Sequence, residues 1–142
     1  MKLPVVFHDN YYAKIGEAHK FPIDKFGELA KYLRGKKLVK EFYRPYICSD
    51  KTLRRVHSFE YIQHIKNKTL DENNVKKIGF PLVDSVVRRS LTATGGTVLT
   101  SKLAIKNGLA CNTAGGSHHA NFKGGAGYCV FNDVAVAAHY LL

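Results

Sequence analysis

Apolar residues recur at helical spacing in three parts of the chain. The first part predicts an amphipathic helix over residues 24–34, and the last predicts a helix over residues 132–142. Between them, residues 82–107 predict one long helix, which Asn107-Gly108 would end. The apolar stripe of this long helix consists of Val83, Val86, Val87, Leu91, Val98, Leu99 and Leu103.

Two short apolar runs flank the long helix and predict strands. Residues 5–7 (VVF) predict the first strand, residues 109–113 (LACNT) predict the second, and residues 38–43 fit either a strand or a loop. The order strand, long helix, strand, loop, helix is typical of an α/β fold with a parallel sheet. Ligands in such folds bind at the loops that follow the strands, which is where the loop after residue 113 lies.

The middle of the chain has weaker patterns. Ser49-Asp50 and Ser58 each suit the start of a short helix. The first of these helices would carry on one face Leu53, Val56 and His57. Residues 67–79 are polar without a clear period and predict a loop. His57 and His64 are interpreted as surface or capping residues.

A glycine pair, Gly95-Gly96, interrupts the predicted long helix. Each glycine in a helix costs about 1 kcal/mol relative to alanine. A pair at this position therefore indicates close packing against another element.

Composition narrows the class of protein. The chain has 142 residues, of which 45% are hydrophobic, so it can form one domain and is too apolar for a disordered polymer. Its 22 Lys and Arg against 11 Asp and Glu give a formal charge of +11. This charge leaves open an anionic partner such as nucleic acid. The basic residues are scattered along the chain and do not form runs. This pattern favours solvated cations that are balanced by an acidic part of the protein outside this chain.

The cysteines and the hydropathy indicate a cytoplasmic protein. Cys48, Cys111 and Cys129 are odd in number and form no C-x-x-C, which argues against a disulfide framework and a thiolate zinc site. No apolar run is long enough to span a bilayer. The apolar stretch near the N-terminus is too short for a signal peptide, so we expect no membrane partner.

The strongest candidate for chemistry is the glycine-rich segment 115–120 (GGSHHA). In an irregular loop, the adjacent His118 and His119 can converge on one cavity, and glycines let the backbone approach a ligand closely. Two imidazoles at one site suit proton transfer near neutral pH. Without further context, a pair of adjacent histidines is also compatible with an ordinary surface position.

Several blocks along the chain resemble motifs of one family. They are residues 53–61 (LRRVHSFEY), Gly95-Gly96-Thr97, residues 115–120 (GGSHHA), residues 127–129 (GYC) and residues 131–135 (FNDVA). These blocks are similar to those of the zinc-dependent histone deacetylases and their bacterial relatives, including acetylpolyamine amidohydrolases and acetoin-utilisation proteins. Residues 19–26 (HKFPIDKF) are similar to the branch that contains class IV enzymes. The resemblance covers most of the chain.

The resemblance implies an α/β arginase/deacetylase fold with a parallel sheet, of which residues 1–142 are the N-terminal portion of a single domain. Family members are about twice as long and hold zinc through two aspartates and a histidine. These ligands, in a D-x-H segment and at a later aspartate, lie downstream of the position matching Leu142, as does the tyrosine that polarises the substrate carbonyl. This sequence contains no D-x-H. We therefore expect zinc in the complete enzyme and its ligands outside this chain.

In the complete enzyme, the resemblance implies zinc-assisted hydrolysis of an acetylated lysine or acetylated polyamine. His119 would be the general base, and His118 would tune the field and bind the same water. Tyr128 would form a wall of the channel for the acetylated arm, and Gly127 would offer its carbonyl to the substrate amide. Cys129 is expected to pack as a small apolar residue. His8, with residues 9–20, is a candidate for the channel rim.

Half of such a fold would expose an apolar sheet edge and one face of the long helix. Several hundred Å² of exposed apolar surface would cost on the order of 10 kcal/mol, which rivals the stability of a domain. We therefore expect the chain alone to be inactive and marginally stable, or to be completed by a second chain that supplies the C-terminal half.

Two other classes of function remain open on the sequence. One is a non-catalytic interaction module that retains half of the fold, and the other is a basic nucleic-acid-binding protein. Whether the chain derives from a deacetylase or serves as an interaction module, we expect that it does not bind zinc tightly by itself. Nucleic-acid binding would show a steep salt dependence, and no known nucleic-acid motif supports it.

Overall fold

The structure, a computed structural model, describes residues 3–142. Two strands and six α-helices follow one another along these residues. They are β1 (Val5–Val6), α1 (Lys25–Gly35), α2 (Asp50–Leu53), α3 (Phe59–Asn67), α4 (Glu72–Ile78), α5 (Asp84–Asn107), β2 (Cys111–Asn112) and α6 (Asp133–Leu141), with a short 3-10 helix at Asp9–Tyr11. Within residues 3–142, no helix combines the length and the hydropathy that crossing a membrane requires.

The strands form a small parallel sheet, as the sequence predicts. Val5 of β1 pairs with Cys111 of β2, and Val6 pairs with Asn112. On the other side of β1, Tyr43 forms an isolated parallel bridge with Val6, so residues 38–43, for which the sequence left a strand or a loop open, contribute a single bridge. β1 therefore lies between two neighbours, while β2 forms an edge of the sheet that residues 3–142 build.

Helix α5 lies at the centre of the fold. In its first half, six consecutive residues, 89–94, are buried, whereas Asp84 and Arg88 are exposed. It contacts α6, the 3-10 helix and both strands. Its last turns differ, because Ile105 is 70% exposed and Leu109, just beyond the helix, is 62% exposed. These exposed apolar residues come shortly before the edge strand β2 in the chain.

The glycine pair in α5 confirms the predicted close packing. A Cβ atom at Gly95 would overlap the backbone carbonyl oxygen of Tyr46, and a Cβ atom at Gly96 would overlap the hydroxyl of Tyr11. The Tyr11 hydroxyl donates to Oδ1 of Asn112 at 3.0 Å. Because neither glycine carries a side chain, the Tyr46 backbone and the Tyr11 hydroxyl can approach the backbone of α5. Through its hydrogen bond to Asn112, Tyr11 also links α5 to β2.

The predicted loop over 67–79 is wrong, because residues 72–78 form α4. The Asp71 side chain accepts a hydrogen bond from the Asn74 backbone N–H at 3.1 Å and caps the start of this helix. Gly79, with φ of 84°, ends it. Strong signals at both ends thus outweigh the polar composition between them, where only Val75 and Ile78 are apolar.

The two short helices begin where the sequence predicts. Ser49 caps α2 by accepting from the Thr52 N–H, and Ser58 caps α3 by accepting from the Tyr61 N–H. Helix α2 ends at Leu53, so Val56 and His57 lie after it rather than on its face. The predicted helix is therefore too long, but Leu53 and His57 are buried and Val56 packs against the core.

Replacing Gly96 by alanine should lower the free energy of unfolding by about 3 kcal/mol, because the new methyl group overlaps Tyr11. Gly27→Ala is a matched control inside α1, since nothing lies within 4 Å of a Cβ atom there. The control should be neutral or more stable by up to about 1 kcal/mol. Urea unfolding followed by circular dichroism compares the two. Equal stability of both variants would contradict the packing argument.

Candidate active site

The structure brings the paired histidines together in the loop that follows β2. The rings of His118 and His119 lie with their centroids 4.1 Å apart and their planes inclined by 38°. The loop reaches this geometry through Gly115 and Gly116, whose φ angles of 100° and 81° are in the left-handed region. Both imidazoles are exposed in this chain. Adjacent side chains therefore share one face of the loop instead of pointing in opposite directions, as they would in a strand.

One hydrogen bond fixes the protonation pattern of neutral His118. Its Nδ1 lies 2.9 Å from the Gly116 carbonyl oxygen. Because a carbonyl can only accept, Nδ1 carries the proton and donates it. The Nε2 atom of the neutral ring is then left as a lone-pair acceptor. Such an atom can bind a proton or accept a hydrogen bond from water.

Gly127 and Tyr128 lie on the second half of the same loop, with φ angles of 54° and 66°. A Cβ atom at Gly127 would stand 3.3 Å from Cδ2 of His119, so this glycine packs directly against the imidazole. The N–H of Gly127 donates to the Lys77 carbonyl at 3.0 Å, and the N–H of Tyr128 donates to the Ile78 carbonyl at 2.7 Å. The end of α4, which the sequence failed to predict, therefore supports this part of the loop.

The Tyr128 ring belongs to an aromatic cluster and is 38% exposed. Its centroid lies 5.1 Å from that of Phe21, 5.2 Å from that of Phe80 and 5.8 Å from that of His19. Nδ1 of His19 accepts from the Phe21 N–H at 3.0 Å, so Nε2 donates to the Gly79 carbonyl at 2.8 Å. His19 thus links this cluster to the end of α4.

The structure also locates the candidates for the channel rim and the side chain of Cys129. Nδ1 of His8 accepts from the Asn10 N–H at 3.0 Å and caps the 3-10 helix, whereas His19 is the member of the 9–20 segment that lies beside Tyr128. Cys129 is buried, as expected for a small apolar residue, and its thiol lies 3.5 Å from the Gly127 carbonyl oxygen. In this structure, that carbonyl accepts a weak hydrogen bond from within its own loop.

His57 is a structural residue of the site, and its interpretation as a surface or capping residue is wrong. The side chain is only 1% exposed. Its Nδ1 donates to the Asn121 carbonyl at 2.8 Å, and its Nε2 accepts from the Asn132 N–H at 2.9 Å. The ring thereby joins the two ends of the segment between Asn121 and Asn132. Burial lowers the pKa of His57 below its usual value of 6.5.

Two residues at the start of α6 hold the histidine loop, and residue-by-residue interpretation of the sequence did not single them out. The Nδ2 of Asn132 donates to the His118 carbonyl at 3.2 Å and to the Ala120 carbonyl at 3.0 Å. The carboxylate of Asp133 accepts from the N–H groups of Gly116 and Ser117. The sequence signal for them is the block FNDVA, whose resemblance to the family assigns no role to its polar residues.

The donor set does not fit a metal ion. Across residues 3–142, no group of three or more His, Cys, Asp or Glu side chains is arranged so that it could hold one. Two cavities of about 610 and 600 Å³ lie elsewhere, one between the 3-10 helix and the start of α5 and the other against α1. Neither is lined by the loop that carries His118 and His119. The loop therefore presents two imidazoles on an open face, without a third potential metal ligand grouped beside them among residues 3–142.

Comparison with known proteins identifies the family. A family model describing the histone deacetylase domain matches residues 19–142. This chain belongs to the histone deacetylase family. An uncharacterised protein of Picosynechococcus is 42% identical over 139 residues, covering 96% of this chain and 46% of the relative. Histone deacetylase 2 of Arabidopsis thaliana is 27% identical, covering 98% of this chain and 39% of the relative.

The solved structures support the fold. A crystal structure of an HDAC homologue from Aquifex aeolicus superposes on 99% of this chain with a TM-score of 0.78 at 22% identity. The chain covers 41% of that structure. The deacetylase fold predicted from the sequence is therefore confirmed, as part of that fold. The chain spans less than half the length of these relatives.

The buried His57 predicts that stability falls on acidification. The folded state resists protonation of His57, while the unfolded chain takes up a proton near pH 6.5. Stability is therefore lost as pH falls below 6.5, by about 1.4 kcal/mol per pH unit, until the lowered pKa of the folded state is reached. Urea unfolding at several pH values should give a smaller slope for His57→Gln than for the wild type. Equal slopes would show that His57 does not contribute.

Proposed function

We propose that this chain provides the proton-transfer part of a zinc-dependent deacetylase that hydrolyses acetylated lysine or acetylated polyamine. The observation that carries this proposal is the contact between the His118 and His119 rings, whose centroids are 4.1 Å apart at the end of a parallel strand. Membership of the histone deacetylase family supports the reaction class. Residues 1–142 would then be the N-terminal portion of a single domain.

The two imidazoles would divide the work of moving protons. In amide hydrolysis, water loses a proton as its oxygen attacks the acetyl carbon, and the amine gains a proton as the C–N bond breaks. His119 would take the first proton and return one to the leaving amine. His118 presents a free Nε2 because its Nδ1 donates to Gly116, so this atom would accept a hydrogen bond from the same water.

The second half of the loop would guide the substrate. Gly127 packs against His119, and the ring of the next residue, Tyr128, packs against Phe21. An aromatic wall suits the methylene groups of an acetyl-lysine or acetylpolyamine arm, because apolar contact is gained without unpaired polar atoms. The Gly127 carbonyl would accept from the substrate amide in place of the Cys129 thiol.

Polarisation of the acetyl carbonyl would come from outside these residues. The described side chains form no metal-binding group, so we assign the zinc ion of the family to polypeptide beyond this portion of the fold. The isolated chain would consequently be inactive, and its part in the reaction is confined to binding and proton transfer.

We propose further that the rest of a deacetylase fold joins at the edge formed by β2. Cys111 in this strand is exposed, and so are Ile105 and Leu109, which precede it. A parallel strand is normally covered on both sides, and exposed apolar side chains next to an open strand favour addition of further structure. The length of the relatives, more than twice the matched region, supplies enough polypeptide for this role.

Reconstitution tests the function. This chain would be co-expressed with the unmatched portion of the Picosynechococcus relative, and zinc would be added with an acetyl-lysine peptide or an acetylated polyamine. We expect hydrolysis by the pair and none by either part alone. His119→Gln should lower kcat by about 100- to 10,000-fold, because the general base is lost. His139→Gln, at an exposed position on α6, is the matched control and should leave kcat unchanged.

Two outcomes would contradict the proposed function. One is hydrolysis by the intact relative but none by a stable, co-purifying pair. The other is an equal effect of His119→Gln and His139→Gln on kcat.

Introducing a charge beside the exposed edge of β2 tests whether the rest of the fold joins there. Leu109→Lys should weaken association of the two parts by about 10-fold or more, because a charge would be buried at the joint. Leu38→Lys replaces a leucine of similar exposure (65%) in the segment after α1 and should leave the affinity unchanged. Titration calorimetry compares the two variants. Equal affinities would place the joint elsewhere.

A further inference from the structure

The carboxylate of Asp133 is buried against the backbone of the histidine loop. The side chain is 1% exposed and forms none of the ion pairs found among residues 3–142. Its Oδ1 accepts from the Ser117 N–H at 2.7 Å, and its Oδ2 accepts from the Gly116 N–H at 3.0 Å. The Thr97 hydroxyl on α5 donates to the same Oδ2 atom. Three donors thus satisfy a charge that would otherwise be costly to bury.

The loop is shaped to let this carboxylate approach. A Cβ atom at Gly115 would lie 2.6 Å from the Thr97 hydroxyl oxygen and 2.8 Å from Oδ2 of Asp133. The φ angle of Gly115, 100°, is also one that other residues rarely adopt. The close packing and the positive φ angle therefore both favour glycine at position 115, independently of any contact with substrate.

Gly116 connects the carboxylate to the first imidazole. Its N–H donates to Asp133, and its carbonyl accepts from Nδ1 of His118 at 2.9 Å. Because Asp133 fixes this residue, the carbonyl is held where it selects the tautomer of His118 that leaves Nε2 free. The neighbouring Asn132 binds the carbonyls of His118 and Ala120 on the other side of the pair. The start of α6 therefore holds the loop both before and after His118.

We propose that Asp133, supported by the Thr97 hydroxyl, is the positioning residue that fixes the backbone of the histidine loop and thereby, in this chain, the orientation and tautomer of His118. This role rests on the function proposed above, but the geometry it describes belongs to the chain alone. Asp133 is buried, and its carboxylate accepts only from the loop backbone and Thr97, so it acts through Gly116 and Ser117 rather than on a substrate. Thr97 couples the loop to α5, the most buried helix of the fold.

A matched pair of variants on α5 separates positioning from general stability. Thr97→Val removes the donor to Asp133, whereas Thr94→Val, one turn earlier, removes a hydroxyl that donates only to the Ser90 carbonyl of the same helix. Thr97→Ser retains the hydroxyl and should behave as the wild type. Asp133→Asn places an amide against the two loop N–H groups and gives the strongest change.

Two measurements on the chain itself report the positioning. Amide hydrogen exchange at Gly116 and Ser117 should accelerate by about 10- to 100-fold in Thr97→Val and Asp133→Asn, and stay unchanged in Thr94→Val. Long-range nitrogen–proton spectra should show the Nδ1-protonated tautomer of His118 in the wild type and a mixture of tautomers in the two altered proteins. In the reconstituted enzyme, Asp133→Asn should lower kcat by about 10- to 100-fold with KM nearly constant, because the base is misplaced rather than the substrate site.

Unchanged exchange and an unchanged His118 tautomer in Thr97→Val would overturn the proposal. It would also be overturned if Thr94→Val gave the same changes, since both effects would then follow from loss of stability. If Asp133→Asn does not fold, the valine and serine variants of Thr97 still decide the question. A reconstituted pair without deacetylase activity would contradict the proposed function alone, because exchange and tautomer are measured without substrate.

Discussion

The geometry of the candidate site depends on the hydrogen bonds between the glycine-rich loop and the first residues of α6. A loop with consecutive glycines has high conformational entropy, and nothing in its own sequence selects one arrangement of the two imidazoles. Asn132 and Asp133 supply that selection by binding the backbone on both sides of the pair. His57 adds a buried brace between Asn121 and Asn132. The loop is therefore ordered by side chains from other elements.

Helix α5 connects the histidine loop to the rest of the fold. Its glycine pair admits the Tyr46 backbone and the Tyr11 hydroxyl, and Tyr11 in turn binds Asn112 at the end of β2. The next residue, Thr97, reaches the carboxylate of Asp133. One turn of one helix thus contacts the strand that leads into the loop and the helix that leaves it. A change of packing at this turn would displace both ends of the loop together.

The aromatic cluster that contains Tyr128 packs against a buried cation. The Arg89 guanidinium lies 4.9 Å from the ring centroid of Phe26 and 5.6 Å from those of Phe21 and Phe80, and its Nε donates to the Tyr11 carbonyl at 3.0 Å. Burial lowers the pKa of Arg89 to about 10, so the group remains charged at neutral pH. Contact with ring faces replaces an acidic partner for this buried cation. Tyr128, whose backbone is held by the end of α4, completes this surface.

The sequence by itself determined the strong helices, the parallel sheet and the adjacency of the histidines, because these follow from local periodicity and from motif order. It also indicated the close approach at Gly95-Gly96, since a glycine pair inside a helix needs a packing reason. It missed α4, whose helix depends on caps at Asp71 and Gly79 rather than on an apolar stripe. Only the tertiary structure decided the burial of His57 and the connection of Asp133 to Gly116 and Ser117. Those contacts join residues 16 to 75 positions apart, and no local pattern encodes the partner of a buried polar group.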